Sequence, residues 1–263
     1  MINPRLSVDA MSSFPWSFER ELALWSDLGV RHAGLLQNKI ADDPERHLAG
    51  LDAAGIRIST MITASFNLAD RSGWEKVRTM QREAIDLCAV RQGHSIYFTT
   101  GRTVRCDWEE DAALFAEAVA PTVAYGREKG VKAAFEPSLR TSASFCTTLR
   151  DAVDIAERTG LGIVSDFGNN WMERGLPGTL KRAMPYVALI QIGDVAISGP
   201  GGRAHIGKGD LPLERMMGDV LAAGYMGVFD LEVVPANYAE GWSEDELREG
   251  ITTASTLLDR LGL

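Results

Sequence analysis

Short apolar runs and amphipathic stretches alternate along almost the whole chain. The strand pattern is clearest in V-K-A-A-F-E-P-S at residues 131–138, an apolar run that ends in Glu136 and is stopped by Pro137. The helix pattern is clearest where apolar residues fall at i, i+3, i+4, i+7 and i+8, at Leu213, Met216, Met217, Val220 and Leu221. Eight such strand–helix alternations within 263 residues predict an α/β protein with one domain over residues 1–263. The predicted fold is a (β/α)8 TIM barrel, and an open doubly wound sheet is the alternative.

The same pattern gives approximate bounds for the elements. The predicted strands are Leu6–Val8, His32–Leu36, Ile56–Ile62, Ser95–Thr100, Val131–Glu136, Leu161–Asp166, Val187–Gln191 and Gly227–Val234. The predicted helices begin near Ser17, Asp43, Trp74, Trp108, Thr148, Thr179 and Leu213, and a last helix carries Leu247 to Leu261. A glycine-rich loop is predicted at residues 199–209.

Four oxygen-bearing side chains end or nearly end the last four predicted strands. They are Glu136, Asp166, Gln191 and Glu232. Because the carboxyl ends of barrel strands meet on one face, we expect these residues to lie close together. Three carboxylates and an amide in one pocket are costly unless a cation lies among them. The sequence therefore predicts a divalent metal site.

Composition narrows the classes of partner. The chain has 27 Lys and Arg against 36 Asp and Glu, a net charge of −9 that repels nucleic-acid phosphates and anionic membranes. Three widely spaced cysteines without a CxxC pair support neither a disulfide framework nor a cysteine zinc site. The first residues do not resemble a signal peptide, and no apolar stretch approaches the roughly 20 residues of a membrane helix. We expect a cytoplasmic protein that acts on a small molecule.

Five stretches of the second half carry a family resemblance. They read K-A-A-F-E-P-S, I-V-S-D-F-G, A-L-I-Q-I-G-D, H-I-G-K-G-D-L-P-L and A-A-G-Y-M-G-V-F-D-L-E. These stretches are similar to those of the sugar phosphate isomerase/epimerase superfamily, the xylose isomerase-like TIM barrels. The resemblance covers about half of the chain, and the last two stretches are the most specific.

The resemblance implies Mn²⁺ or Mg²⁺ held by Glu136, Asp166, Gln191 and Glu232. Oxygen ligands suit these hard cations better than zinc, which prefers His and Cys. Many relatives have His where this chain has Gln191, and the hydroxypyruvate isomerase branch, with Gln in a similar segment, looks closer there. Sugar epimerases usually have a substrate-binding His at the position of Asn169, so this chain departs from them at that point.

The predicted chemistry is proton transfer beside a carbonyl. Glu136 and Glu232 are the expected acid and base, exchanging a proton through an enediolate that the metal stabilises. Isomerisation, epimerisation and dehydration all share this step, and the sequence does not choose among them.

Further candidates come from the loops. His205 is a candidate acid/base or anion-binding residue, and Arg203 a candidate clamp for a carboxylate or phosphate; the alternative is that both are solvated loop residues. Asn169 and Trp171 are candidate substrate contacts, although an aromatic residue such as Trp171 more often serves packing. If the aromatic residues line the pocket, an aromatic substrate or a glycoside becomes plausible.

Two other classes of function compete with this reading. A repair nuclease of the endonuclease IV type uses the same barrel, but it needs several His ligands and basic loops, whereas this chain has four His and a charge of −9. A non-catalytic barrel subunit is the second, because Asn169 and Gln191 would fit a lost site. A homo-oligomer is also compatible with the resemblance.

Overall fold

Eight parallel strands close into a barrel in the computed structural model, which describes residues 1–198, 202–234 and 239–263. Its strands are β1 (Leu6–Asp9), β2 (His32–Leu36), β3 (Arg57–Ile62), β4 (Ser95–Thr99), β5 (Lys132–Glu136), β6 (Gly162–Asp166), β7 (Val187–Ile192) and β10 (Phe229–Leu231). Because β1 pairs with both β2 and β10, the sheet has no edge. The predicted (β/α)8 barrel is therefore confirmed, and the open doubly wound sheet is wrong. A small antiparallel hairpin, β8 (Asp194–Ala196) with β9 (Gly202–Ala204), follows β7 and was not predicted.

Helices separate the strands along the chain. They are α1 (Phe18–Leu28), α2 (Gln37–Ile40), α3 (Pro44–Ala54), α4 (Trp74–Val90), α5 (Trp108–Lys129), α6 (Leu149–Thr159), α7 (Phe167–Asn170), α8 (Leu176–Ala183), α9 (Leu213–Ala222) and α10 (Glu244–Arg260). None of the helices within the described ranges is long and apolar enough to cross a membrane.

Several bounds differ from the sequence pattern. Helix α8 begins at Leu176, before the predicted Thr179, because Pro177 is tolerated in a first helical turn. Strand β10 is shorter than the predicted Gly227–Val234, since apolar residues continue beyond the hydrogen-bonded ladder. The predicted loop 199–209 lies outside the described residues over 199–201, and its described part includes β9.

Helix ends follow local capping chemistry. Ser17 caps α1 by accepting from the Arg20 N–H, and Gly29, with φ +73°, ends the same helix. At α10, Ser243 and Glu246 form a reciprocal capping box, which starts the helix at Glu244, ahead of the predicted apolar face that begins with Leu247. These capping contacts set where α1 and α10 begin and where α1 ends.

An apolar layer fills the barrel interior beneath the carboxyl ends of the strands. It consists of Tyr97, Ala134, Val164, Ala188 and Leu189, separate from the larger core between strands and helices. Residues two apart on a strand face the same side. Ala134, Val164 and Leu189 each lie two residues before one of the predicted metal ligands, so these predicted ligands lie one layer above an apolar floor.

Candidate metal centre

Three carboxylates from three strands converge at the carboxyl end of the barrel. Glu136 ends β5, Asp166 ends β6, and Glu232 follows β10, where its N–H still bonds to the Ile192 carbonyl at 3.1 Å. One carboxylate oxygen from each lies within 4.8 Å of the others, and all three side chains are buried. The strand-end convergence expected from the sequence is thus present for these three residues.

Burial makes the negatively charged forms of these carboxylates unfavourable. Desolvation, and then the negative charge of Asp166, raises the pKa of Glu232 to about 8. Desolvation followed by the charges of Glu232 and Asp166 also raises the pKa of Glu136 well above its usual range. Like charges at short range in a low dielectric disfavour the ionised state of each other. A bound cation is the simplest source of compensation.

Gln191 is the fourth residue that the sequence predicts as a ligand. It lies fully buried on β7, in register with Asp166 on β6, and its Nε2 donates to Tyr97 Oη at 3.0 Å. Its Oε1 is buried and accepts no hydrogen bond from any described residue. A buried amide oxygen without a donor is uncommon in native proteins. This unsatisfied oxygen and three carboxylates form an all-oxygen donor set that fits a divalent cation.

Asn169 links two of the carboxylates. Helix α7 starts directly after β6 and turns this side chain back over the strand end. Its Nδ2 donates to Glu136 Oε1 at 2.6 Å and to Asp166 Oδ2 at 2.9 Å, and its Oδ1 accepts from the Leu139 N–H at 3.3 Å. The contacts fix the orientation of the carboxylates, and the substrate contact predicted from sequence stays a prediction.

Arg203 reaches the cluster from the hairpin strand β9 and forms an ion pair with Asp166. Burial by itself would lower the pKa of this guanidinium, but Asp166 raises it above its ordinary value. Two glycines make room for it: a Cβ at Gly168 would overlap the guanidinium, and one at Gly193 would lie 2.9 Å from Nη1. The described residues offer no hydrogen-bond partner to that Nη1.

His205 and Trp171 contact residues outside the carboxylate cluster. The Nε2 of His205 is 2.7 Å from the Glu246 carbonyl of α10, and its ring packs edge-on against Trp242. Trp171 is partly buried against the main hydrophobic core. The structure therefore brings Glu136, Asp166, Glu232, Asn169 and Arg203 together, whereas the contacts of His205 and Trp171 are with the packing around them.

A family model described as "Xylose isomerase-like TIM barrel" matches residues 22–254. The chain belongs to this family. No curated protein sequence matches the chain significantly.

Solved structures with the xylose isomerase-like barrel resemble the chain over nearly its whole length. A protein from Sinorhizobium meliloti 1021 has 20% identity and a TM-score of 0.85, covering 96% of this chain and 98% of its own. The IolI protein, solved with a zinc atom, has 15% identity and a TM-score of 0.80, covering 99% of each chain. The 3-keto-D-glucoside 4-epimerase YcjR from E. coli has 15% identity and a TM-score of 0.76, covering 94% of this chain and 99% of its own. At these identities the likeness shows the fold alone.

Sequence reasoning missed a second pair of buried acids, of which Asp230 lies in register with Gln191. Asp9 ends β1 and Asp230 lies in β10, and both are fully buried. Burial, and then the charge of Asp230, raises the pKa of Asp9 well above its usual range. A signal was available: Asp230 stands two residues before Glu232 in F-D-L-E and so faces the same side of its strand. Tyr97, the partner of Gln191, had no comparable signal.

Proposed function

We propose that the protein is a divalent-metal-dependent isomerase or epimerase that transfers a proton beside the carbonyl of a hydroxy-carbonyl substrate. The observation that carries this proposal is the convergence of the three buried carboxylates Glu136, Asp166 and Glu232. Gln191, with its unsatisfied amide oxygen, lies in register with Asp166 on the neighbouring strand. Membership of the xylose isomerase-like family supports an enzyme of this kind. YcjR, which has the same fold, is by its printed name an epimerase of a 3-keto-glucoside.

Glu136, Asp166, Gln191 and Glu232 would hold the cation, with Mn²⁺ or Mg²⁺ preferred because every donor is a hard oxygen. When bound, the cation supplies positive charge that stabilises an oxyanion on the substrate. IolI is described with zinc, so zinc is the competitor to include in any test.

Glu136 and Glu232 act as the acid/base pair. They enter from strands on different sides of the centre, β5 and β10, which suits proton transfer at two positions of one substrate. One carboxylate accepts the proton as the C–H bond of the substrate breaks, and the electron pair of that bond forms the enediolate. In an epimerisation the other carboxylate donates a proton to the opposite face of the same carbon. In an isomerisation it donates a proton to the adjacent carbon, and the substrate's hydroxyl proton moves to the former carbonyl oxygen. The protein ends the cycle with the same number of protons.

Arg203 and His205 complete the proposal. The unpartnered Nη1 of Arg203 is available to an oxygen of the substrate, while its ion pair with Asp166 holds the guanidinium in place. For His205, only Nδ1 is available for proton transfer, because Nε2 is engaged by the Glu246 carbonyl. Trp171 and Asn169 would border the substrate from the segment that follows β6.

A lyase or dehydratase acting on a larger substrate, such as an aromatic compound or a glycoside, is the second candidate. Two exposed apolar side chains, Leu139 and Met172, support this candidate. The N–H of Leu139 donates to Asn169, which lies beside the centre, and Met172 is on the next loop. Exposed apolar side chains beside a polar centre favour a substrate with an apolar part.

Elemental analysis after equilibration with Mn²⁺ tests the proposal, using wild type, Glu136→Gln and Glu232→Gln. We expect about one cation per chain in wild type, a strong loss in both variants, and no change in the exposed control Glu128→Gln. Solvent-deuterium incorporation into a panel of hydroxy-carbonyl compounds then reports the proton transfer, and loss of water or of a leaving group identifies a lyase. No cation in the wild type would move the assignment to a non-catalytic barrel subunit.

A further inference from the structure

A second cavity lies at the opposite end of the barrel from the metal centre. It has a volume of about 440 Å³, and its lining includes His32, Arg57, Lys132 and Val187, the first residues of β2, β3, β5 and β7. Lys132 and Glu136 are the two ends of β5, so the cavity and the metal centre are separated by about 13 Å of extended strand. We call this cavity the amino-terminal pocket.

The wall of this pocket contains basic side chains and no carboxylates among its lining residues. Arg57, Lys132, His32 and His94 line the pocket, and Asp and Glu do not occur among its lining residues. This is unexpected in a chain with a net charge of −9. Within the described ranges, neither Arg57 nor Lys132 forms an ion pair, although basic side chains elsewhere, such as Arg158 with Glu109, commonly do. A concave wall of uncompensated positive charge concentrates anions.

The two histidines point to a ligand in the same place. The Nδ1 atom of His32 is buried and has no hydrogen-bond partner among the described residues. Burial, and then the charge of Arg57, lowers the pKa of His32, and burial followed by the charge of Lys132 lowers that of His94. Burial also lowers the pKa of Lys132. An anion seated between these groups would reverse each of these effects, because it would favour their charged forms.

Most of the remaining side chains in the wall are apolar, and Ser59 and Gln92 are polar. Side chains of Ile58, Met184, Leu189 and Val228 line it, and the Tyr225 ring is held there by a 2.6 Å hydrogen bond from its hydroxyl to the Val228 carbonyl. Met226, also in the lining, is 86% exposed. The volume lies within the range of about 300–1,000 Å³ that is typical of small-molecule pockets.

We propose that the amino-terminal pocket binds a small organic anion that carries a phosphate or carboxylate group on an apolar or aromatic body. Arg57 and Lys132 pair with the oxyanion, the His32 Nδ1 position contributes a further hydrogen bond, and the apolar wall covers the body of the ligand. The site is distinct from the metal centre and requires no metal.

Isothermal titration with phenyl phosphate, benzoate and inorganic phosphate tests this inference on the full-length protein at constant ionic strength. We expect saturable binding of at least one aromatic anion, tighter than that of inorganic phosphate because of the apolar wall. Comparison of phenyl phosphate with benzoate identifies the preferred oxyanion. Arg57→Gln and Lys132→Gln should each weaken binding about tenfold, whereas the exposed control Lys76→Gln should leave it unchanged.

Arg203, beside the candidate metal centre, could also bind an anion and must be distinguished from Arg57 and Lys132. Arg203→Gln should therefore retain the wild-type affinity for the aromatic anion. Loss of binding in Arg203→Gln with retention in Arg57→Gln would overturn the inference, as would the lack of saturable binding of all three probes at millimolar concentration. Arg57 is exposed, so its variant decides the matter if Lys132→Gln does not fold.

Discussion

The amide nitrogen of Asn169 lies 2.6 Å from Oε1 of Glu136 and donates a hydrogen bond to it. The two residues come from consecutive strand–helix units, and the same nitrogen also donates to Asp166. One neutral side chain therefore holds two buried carboxylates in a fixed relation without adding charge. Hydrogen bonds of this kind orient ligands and tune a metal site.

Replacing Asn169 by Ala should lower Mn²⁺ affinity about 10- to 100-fold, because both carboxylates lose the donor that orients them. Titration calorimetry measures this affinity. The neighbouring Asn170 is a matched control, since it is also buried but donates to Ser165 Oγ at 2.7 Å. Asn170→Ala should cost stability and leave the affinity near the wild-type value. Equal affinities in wild type and Asn169→Ala would contradict the assigned role.

Gly168→Ala should raise Mn²⁺ affinity by about threefold to tenfold, because a Cβ there displaces Arg203 and removes positive charge from beside Asp166. Arg203→Gln should have the same effect, and both variants should lose proton exchange on a substrate that Arg203 contacts. Gly178→Ala is the control, since a Cβ there meets no atom within 4 Å. A lower Mn²⁺ affinity in Gly168→Ala would mean that Arg203 supports the metal ligands instead of competing with the cation.

The metal-free protein should lose stability as the pH rises. Burial raises the pKa of Glu232 from 4.5 to about 8 in the folded state, so the folded chain binds the extra proton between these values. The stabilising contribution is complete below pH 4.5 and is lost by about pH 8. Melting temperatures should show Glu232→Gln gaining on wild type across this window, with Glu128→Gln following wild type. A constant difference between Glu232→Gln and wild type would show that the pKa is not raised.

Asp9→Asn should change the free energy of unfolding by less than about 0.5 kcal/mol. The asparagine keeps an acceptor for the Met11 N–H, bonded at 2.8 Å in wild type. Burial and the charge of Asp230 raise the pKa of Asp9, so an uncharged side chain suits this position. Asp111→Asn provides the contrast, because Asp111 accepts from Thr103, Val104 and Arg105 and an amide cannot replace all these acceptors. It should cost about 1–3 kcal/mol in urea unfolding. Equal losses in the two variants would argue against a raised pKa of Asp9.

Much of the fold and part of the candidate site followed from the sequence. Apolar periodicity is local, so the alternation of strands and helices is visible in the chain itself, and eight alternations have few compact arrangements. Once the barrel is inferred, residues at strand ends share a face whatever their distance in sequence. That is why Glu136, Asp166 and Glu232 were predicted together and lie together. Gln191 came from the same argument.

Only the tertiary structure decided how these side chains are used. The donation of Asn169 to two carboxylates, the seat of Arg203 against Gly168, and the contact of His205 with α10 depend on side-chain rotamers and on packing between distant segments. The contact of Asp9 with Asp230 and the amino-terminal pocket arise in the same way, because each joins strands that are distant in sequence. Hydrophobic periodicity records which residues are buried, whereas the hydrogen bonds and charges of a site depend on ångström-scale distances that exist only after the barrel has closed.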